Sequence, residues 1–331
     1  MSPTARELLE EGYVGSLDTL VQVREFLGDP HSGAGARAYS LTLAGGLSFE
    51  VLPERGLDIG AAWYLGQPVG WRSALGSPGI APTPSAWLGR FGGGLLVTCG
   101  LDNIGAPRGN YGQHGSHHDT RAYDVSVTRV RGDDGTPGVR ITGTVDSVEV
   151  FGRRVRVHRS ITSYADDPAI HLADRIVNDG AWPAPVALLY HVNFGAPLVL
   201  PGTRIAIDAD EHELWEPTEA ADDWSTYPGV VDRVTEAVWR HTGLATSQGR
   251  ATARVASPAG LVAEVTWRTD ELPQLVEWVF PPRDSWALGI EPCNAPMWGA
   301  ARESEGAGMP VLGPGETFET SLAIRFSGQA R

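Results

Sequence analysis

"LLYHVNFGAPLVL", residues 188–200, is an apolar run with one histidine and one asparagine set into it. Side chains alternate across an extended chain, so Leu188, Tyr190, Val192 and Phe194 share one face, and Leu189, His191 and Asn193 share the other. The run reads as a buried strand. Two polar groups on one buried strand face must be hydrogen-bonded, solvated or used, because an unpaired one costs roughly 2–7 kcal/mol. Taken alone, His191 reads equally as a satisfied core histidine or as a working one.

The same pattern extends outward in both directions. "ARAYSLTL", "LSFEVLP" and "LDIGAAWYL" precede it, and "VRITGTVDSVEVFG", "RRVRVHRSITSYADD" and "IHLADRIVNDG" lead into it. "LVAEVTWRT", "LVEWVF", "SWALGIEP" and "ETFETSLAIRFS" follow. Glycine (41) and proline (24) punctuate these runs along the 331 residues, and no 10–15-residue helical pattern lies between them. The chain is therefore expected to be all-β, as two large, mainly antiparallel stacked sheets, since one sheet rarely exceeds about 10 strands without splitting or curling. Short helical pieces are expected near the N-terminus: "SPTARELLEEG", capped by Ser2 or Thr4 with Pro3 in its first turn and Gly12 as its stop, and a helical or irregular "SLDTLVQVREF". With no repeat or linker, residues 1–331 read as a single domain whose first 28 residues form a helical or irregular lead-in.

A formal charge of −14 argues against nucleic acid or an anionic membrane as partner. Neither Cys99 nor Cys293 lies in a metal or redox pair, so both are expected as reduced thiols. The N-terminal stretch has acidic charges where a signal peptide needs an apolar core, and no run is long enough to span a bilayer. A cytoplasmic location is the expectation.

Two further stretches stand out. "YGQHGSHHDT" gathers His114, His117, His118 and Asp119, which read as a polar surface loop or as a partial metal-ligand set completed by His191 or Glu291. "SWALGIEPCNAPMWG" places Glu291 at a strand end, on one face with Ala287 and Gly289, and a glycine there leaves room for a ligand. A solvent-facing Glu291 is the plain alternative. "GRFGGGLLVTCG" lacks the Lys-Ser/Thr ending of a phosphate loop, and no Gly-x-Ser-x-Gly elbow is present.

Taken in order, His114-Gly115 after the glycine-rich segment, "YHVNFG" with His191, and "GIEPCN" with Glu291 resemble the aldose 1-epimerase (galactose mutarotase-like) superfamily, in particular a little-characterised bacterial epimerase-like subgroup. The resemblance covers nearly the whole chain and implies a β-supersandwich with a sugar-sized site on a concave face. It also implies an enzyme that interconverts the anomers of a monosaccharide by acid–base ring opening, with Glu291 as base, His191 as acid and His114 positioning the sugar. The family's arginine has two candidates here, Arg90 and Arg55, neither in the standard register. Asn193, His117, Trp71 and Trp298 complete the expected sugar contacts. The chemistry needs no cofactor and no metal, and the expected partner is a small neutral carbohydrate. Two alternatives stay open: a metal-dependent sugar isomerase or lyase using the histidine loop, and a non-catalytic carbohydrate-binding protein.

Overall fold

Short apolar runs broken by glycine and proline bury their faces by pairing with one another. The computed structural model describes residues 3–27, 36–75 and 87–328. The strands before the glycine-rich segment are β1 (Val21–Leu27), β2 (Arg37–Leu43), β3 (Leu47–Leu52), β4 (Asp58–Tyr64) and β5 (Gln67–Pro68). Then come β6 (Leu96–Leu101), β7 (Tyr123–Arg131), β8 (Pro137–Val148), β9 (Arg154–Tyr164), β10 (Ala169–Asn178), β11 (Ala184–Pro185) and β12 (Ala187–Phe194). The last third holds β13 (Arg204–Ile207), β14 (Ala209–Leu214), β15 (Ala237–Leu244), β16 (Arg250–Ala256), β17 (Val262–Arg268), β18 (Gln274–Phe280), β19 (Ala287–Cys293), β20 (Val311–Leu312) and β21 (Thr317–Ser327).

One sheet of 11 strands runs β1-β2-β3-β4-β6-β12-β19-β18-β15-β14, with β5 beside β4. A second, of eight, runs β13-β16-β17-β21-β10-β9-β8-β7. Neighbours in both are antiparallel, as the sequence led one to expect. Leu188, Tyr190, Val192 and Phe194 of β12 point into the core between the sheets, among Val157 of β9, Leu172 of β10 and Ile324 of β21. Leu189 points the other way, into a smaller cluster on the outer face with Trp71, Phe91, Val97 and Val276. The alternation read from residues 188–194 is thus the division between the two clusters.

Behind the outer face, a polar pin joins the sheets. Arg159 of β9 donates through Nη1 to Asp58 of β4 at 2.6 Å, and through Nη2 and Nε to Asp174 of β10 at 2.7 and 2.9 Å. Tyr190 of β12 donates to the same Asp174 at 2.7 Å, and Thr98 of β6 to Asp58 at 2.6 Å. Buried ions are tolerated only when fully paired, and here each is. A second interior group lies under β18 and β15: Glu277 Oε2 is 3.2 Å from His241 Nε2, and His241 Nδ1 is 2.7 Å from His212 Nδ1.

At the N-terminus, α1 (Ala5–Glu10) starts from Thr4, whose side chain accepts from Glu7 in a reciprocal capping box. Pro3 therefore precedes the cap instead of lying in the first turn; Ser2 lies outside the described residues. Gly12, at φ 75°, stops the helix as expected. The segment expected to be helical or irregular from Ser16 is a 3₁₀ turn at Leu17–Thr19 and then β1, paired with β2 from Val21↔Leu43 to Leu27↔Arg37. Tertiary pairing of the alternating Val21 and Val23 overrode the helical reading. No helix among the described residues is long and apolar enough to cross a membrane.

Candidate active site

Strand register builds the site. β12 pairs with β19 so that Leu189 faces Cys293 and Val192 faces Ile290, which sets His191 opposite Glu291 on the outer face. His191 Nε2 and Glu291 Oε1 are 3.2 Å apart, and the residues are 4% and 1% exposed. Glu291 is therefore not the solvent-facing strand end that its position allowed. The space left by Gly289 is filled by this pair: a Cβ there would stand 2.4 Å from Glu291 Oε1 and 3.1 Å from His191 Cε1. The glycine makes room for the carboxylate to fold back toward the imidazole, not for a ligand.

Aromatic rings wall the pair. Phe91 lies 5.0 Å from the His191 ring, Trp278 stands edge-on at 5.5 Å, and His114 edge-on at 5.9 Å. Trp87 covers His114 at 4.6 Å. His114 has φ 60°, a left-handed conformation uncommon outside glycine, and its Nδ1 accepts the Gly105 N–H at 3.4 Å. A neutral His114 therefore carries its proton on Nε2. Arg302 steadies this loop by donating to Asn103 Oδ1 at 2.6 Å and the Ala106 carbonyl at 3.0 Å.

Burial pushes His191 well below its ordinary pKa, and His114 beside it adds to the effect while Asn193 opposes it. Burial pushes Glu291 well above its own, with Glu236 adding to it. His114 is driven down to about 3, by burial first and then by His118 and Arg302. The acid role expected of His191 needs a protonated imidazole, but desolvation outweighs the attraction of the Glu291 carboxylate in a site this dry. Carboxylic acid with imidazole and carboxylate with imidazolium hold the same one transferable proton. Burial favours the uncharged form, with that proton on Glu291.

The histidine loop is buried, not a surface loop, and its members diverge. His114 faces His191. His117 packs against Gly56 beside the buried Arg159 cluster and not beside His191, which corrects its expected sugar contact. His118 reaches Asp119 at 3.2 Å, and Asp119 also pairs with Arg55 at 2.7 Å and with Arg90. Burial alone would raise Asp119, but His118 and the two guanidinium groups hold it below its ordinary value. Arg55 and Arg90 thus converge on one carboxylate behind Trp87, whose ring His118 meets edge-on. No group of three or more His, Cys, Asp or Glu with metal-binding geometry occurs among the described residues.

Asn193 shares the face of His191 but donates to backbone, to the Gly94 and His191 carbonyls at 3.0 and 2.9 Å. Trp71 joins the aromatic wall through Phe91 and Trp278, while Trp298 stands farther along the sheet, toward β14 and β15. Phe91 and Trp278 were not singled out from the sequence. Alternation in "LVEWVF" did carry the signal for Trp278, since Val276, Trp278 and Phe280 share a face opposite Leu275, Glu277 and Val279. Cys99 and Cys293 both stand opposite Leu189, on the two strands flanking β12, about 10 Å apart by strand spacing and beyond disulfide reach.

The fold is that of the galactose mutarotase-like proteins. It is similar to a candidate aldose 1-epimerase of Klebsiella pneumoniae, with TM-score 0.82 and 20% identity over 97% of this chain and 90% of that one. A galactose mutarotase-like protein of Clostridium acetobutylicum gives TM-score 0.62 and 14% identity, over 94% and 100% of the chains. Galactose 1-epimerase of Lactobacillus acidophilus gives 0.58 and 13%, over 93% and 98%. No curated protein sequence matches the chain. The chain belongs to the DUF4432 family, a domain of unknown function, which matches residues 33–326.

Proposed function

We propose that this protein is an aldose 1-epimerase-like isomerase that interconverts the anomers of a neutral monosaccharide at His191 and Glu291. One observation carries the reading: a buried imidazole and carboxylate 3.2 Å apart on the outer face of a mutarotase-like sandwich. Anomer exchange opens the ring, turns about C1–C2 and closes it. Opening takes a proton from the anomeric hydroxyl and gives one to the ring oxygen. A pair holding one transferable proton does both: one member receives while the other donates, and the two trade roles on closure. Atoms and charge balance without any added reagent. His114, with its proton on Nε2, donates to a ring or hydroxyl oxygen and fixes the sugar's orientation. The rings of Trp87, Phe91 and Trp278 present apolar faces suited to the C–H side of a sugar.

The test is anomeric exchange by NMR on a panel of neutral aldoses, with wild type beside His191→Ala and Glu291→Gln. Wild type should accelerate exchange of at least one sugar, and each folded variant should lose about 10²–10⁴-fold, the usual worth of a general acid or base. Binding without any acceleration across the panel would leave a carbohydrate-binding protein in place of an enzyme.

A further inference from the structure

The row of paired residues that contains His191 and Glu291 continues across the sheet. Glu291 stands opposite Val276 on β18, Val276 opposite Arg240 on β15, and Arg240 opposite Glu213 on β14. Strands lie about 4.8 Å apart, so Arg240 stands two strands, about 10 Å, from Glu291 along one face. Val276 belongs to the outer apolar cluster and forms a low floor between the two polar pairs. Arg240 is ion-paired with Glu213, and its guanidinium lies 5.1 Å from the centre of the Trp298 ring. Trp298 Nε1 donates to the other Glu213 oxygen at 3.4 Å. Trp215 stacks on Trp298 at 5.5 Å with only 13° between the planes, and it is 41% exposed.

We propose that Arg240, Glu213, Trp298 and Trp215 form a second carbohydrate subsite, which holds the neighbouring sugar residue of a glycoside whose reducing ring sits at His191 and Glu291. This rests on the reading of the first site given above. About 10 Å reaches from the anomeric carbon of the reducing ring, past the glycosidic link, to the outer hydroxyl groups of the next ring. Nearly parallel indole planes offer the flat apolar surface that the C–H face of a pyranose covers. The guanidinium supplies donors and the carboxylate acceptors, which together suit adjacent hydroxyl groups. Because the two charges cancel, the subsite fits a neutral hydroxylated ring and not a phosphate. The acid–base chemistry makes no use of this cluster, and a half-exposed tryptophan stacked in place is otherwise left facing solvent.

The test is a binding titration followed by NMR, using D-galactose and D-glucose beside lactose, maltose and cellobiose. At least one disaccharide should bind on the order of tenfold more tightly than its own reducing monosaccharide, the worth of one aromatic stacking contact. Trp215→Ala, at an exposed position, should bring that ratio to about one, and Arg240→Gln should do the same. A ratio near one in wild type, or a ratio that survives Trp215→Ala, overturns the subsite. Accelerated exchange of a monosaccharide with a ratio of one removes the subsite and leaves the isomerase standing. A tenfold ratio without exchange keeps the subsite and removes the isomerase. No binding by any of the five sugars removes both.

Discussion

The proton shared by His191 and Glu291 has a measurable consequence for stability, and Glu291→Gln exposes it. Glu291 has a folded pKa raised above its ordinary 4.5, so its contribution is full below that pH and is lost as pH rises. His191 has a folded pKa lowered from 6.5, so its contribution is present above 6.5 and is lost as pH falls. Between 4.5 and 6.5 the folded pair and the unfolded groups bind the same number of protons, and the pair adds no slope. Above 6.5 the folded pair keeps a proton that the unfolded chain has released. Replacing Glu291 with glutamine removes that proton and keeps the shape. The stability of wild type relative to the variant should then fall as pH rises, on the order of 1 kcal/mol per pH unit for as long as folded Glu291 keeps its proton. Urea unfolding of both proteins at half-unit intervals measures it. The result holds wherever on the pair the proton sits, because only the count enters. Curves that run parallel with pH would refute the reasoning, since Glu291 would then titrate alike in the folded and unfolded chain.

Glu277→Gln should produce the same slope change from the interior, since burial raises Glu277 well above its ordinary value; anomeric exchange, measured alongside, should persist because Glu277 faces the core beneath β18. Arg159→Met should cost about 3–5 kcal/mol in urea unfolding, because Asp58 and Asp174 lose the cation between them. Adding Asp58→Asn and Asp174→Asn to that variant should recover part of the loss, and no recovery would show that shape rather than charge holds the two sheets together at this point.

Where alternation was clear, the sequence was enough. Residues 188–194 announced both faces of β12, and Ala287, Gly289 and Glu291 fell on the face that the structure gives them. β6 was harder to see, because all six of its residues are buried and a strand covered on both sides shows no alternation. β1 was misread because its pairing with β2 depends on a strand that lies beyond a gap in the local pattern. The three histidines of the loop could not be told apart by spacing. Their directions come from the left-handed turn at His114 and the 3₁₀ turn at His117–Asp119, which aim neighbouring rings at different partners. The proton's preferred seat was equally out of reach, for it depends on how dry the pair is, a property of the whole packed face. Glu213 on β14 and Trp215 just past its end lie far along the chain from Trp298, and only the β14–β15–β18 register brings Glu213 and Arg240 into one row with Glu291.

That row has a consequence for how the protein acquires its function. Its members come from residues 97, 191, 213, 240, 276 and 291, on six strands contributed by most of the chain. The pairs between β14, β15, β18 and β19 lie within the last third of the chain, but β12 meets β6 only after a connection of some 85 residues has been closed, an entropic cost that delays such contacts during folding. Competence therefore arrives late and all at once. A nascent or partly assembled chain has no His191–Glu291 pair until β12 has met β19, and recovery of activity during refolding becomes a clock for completion of the central sheet.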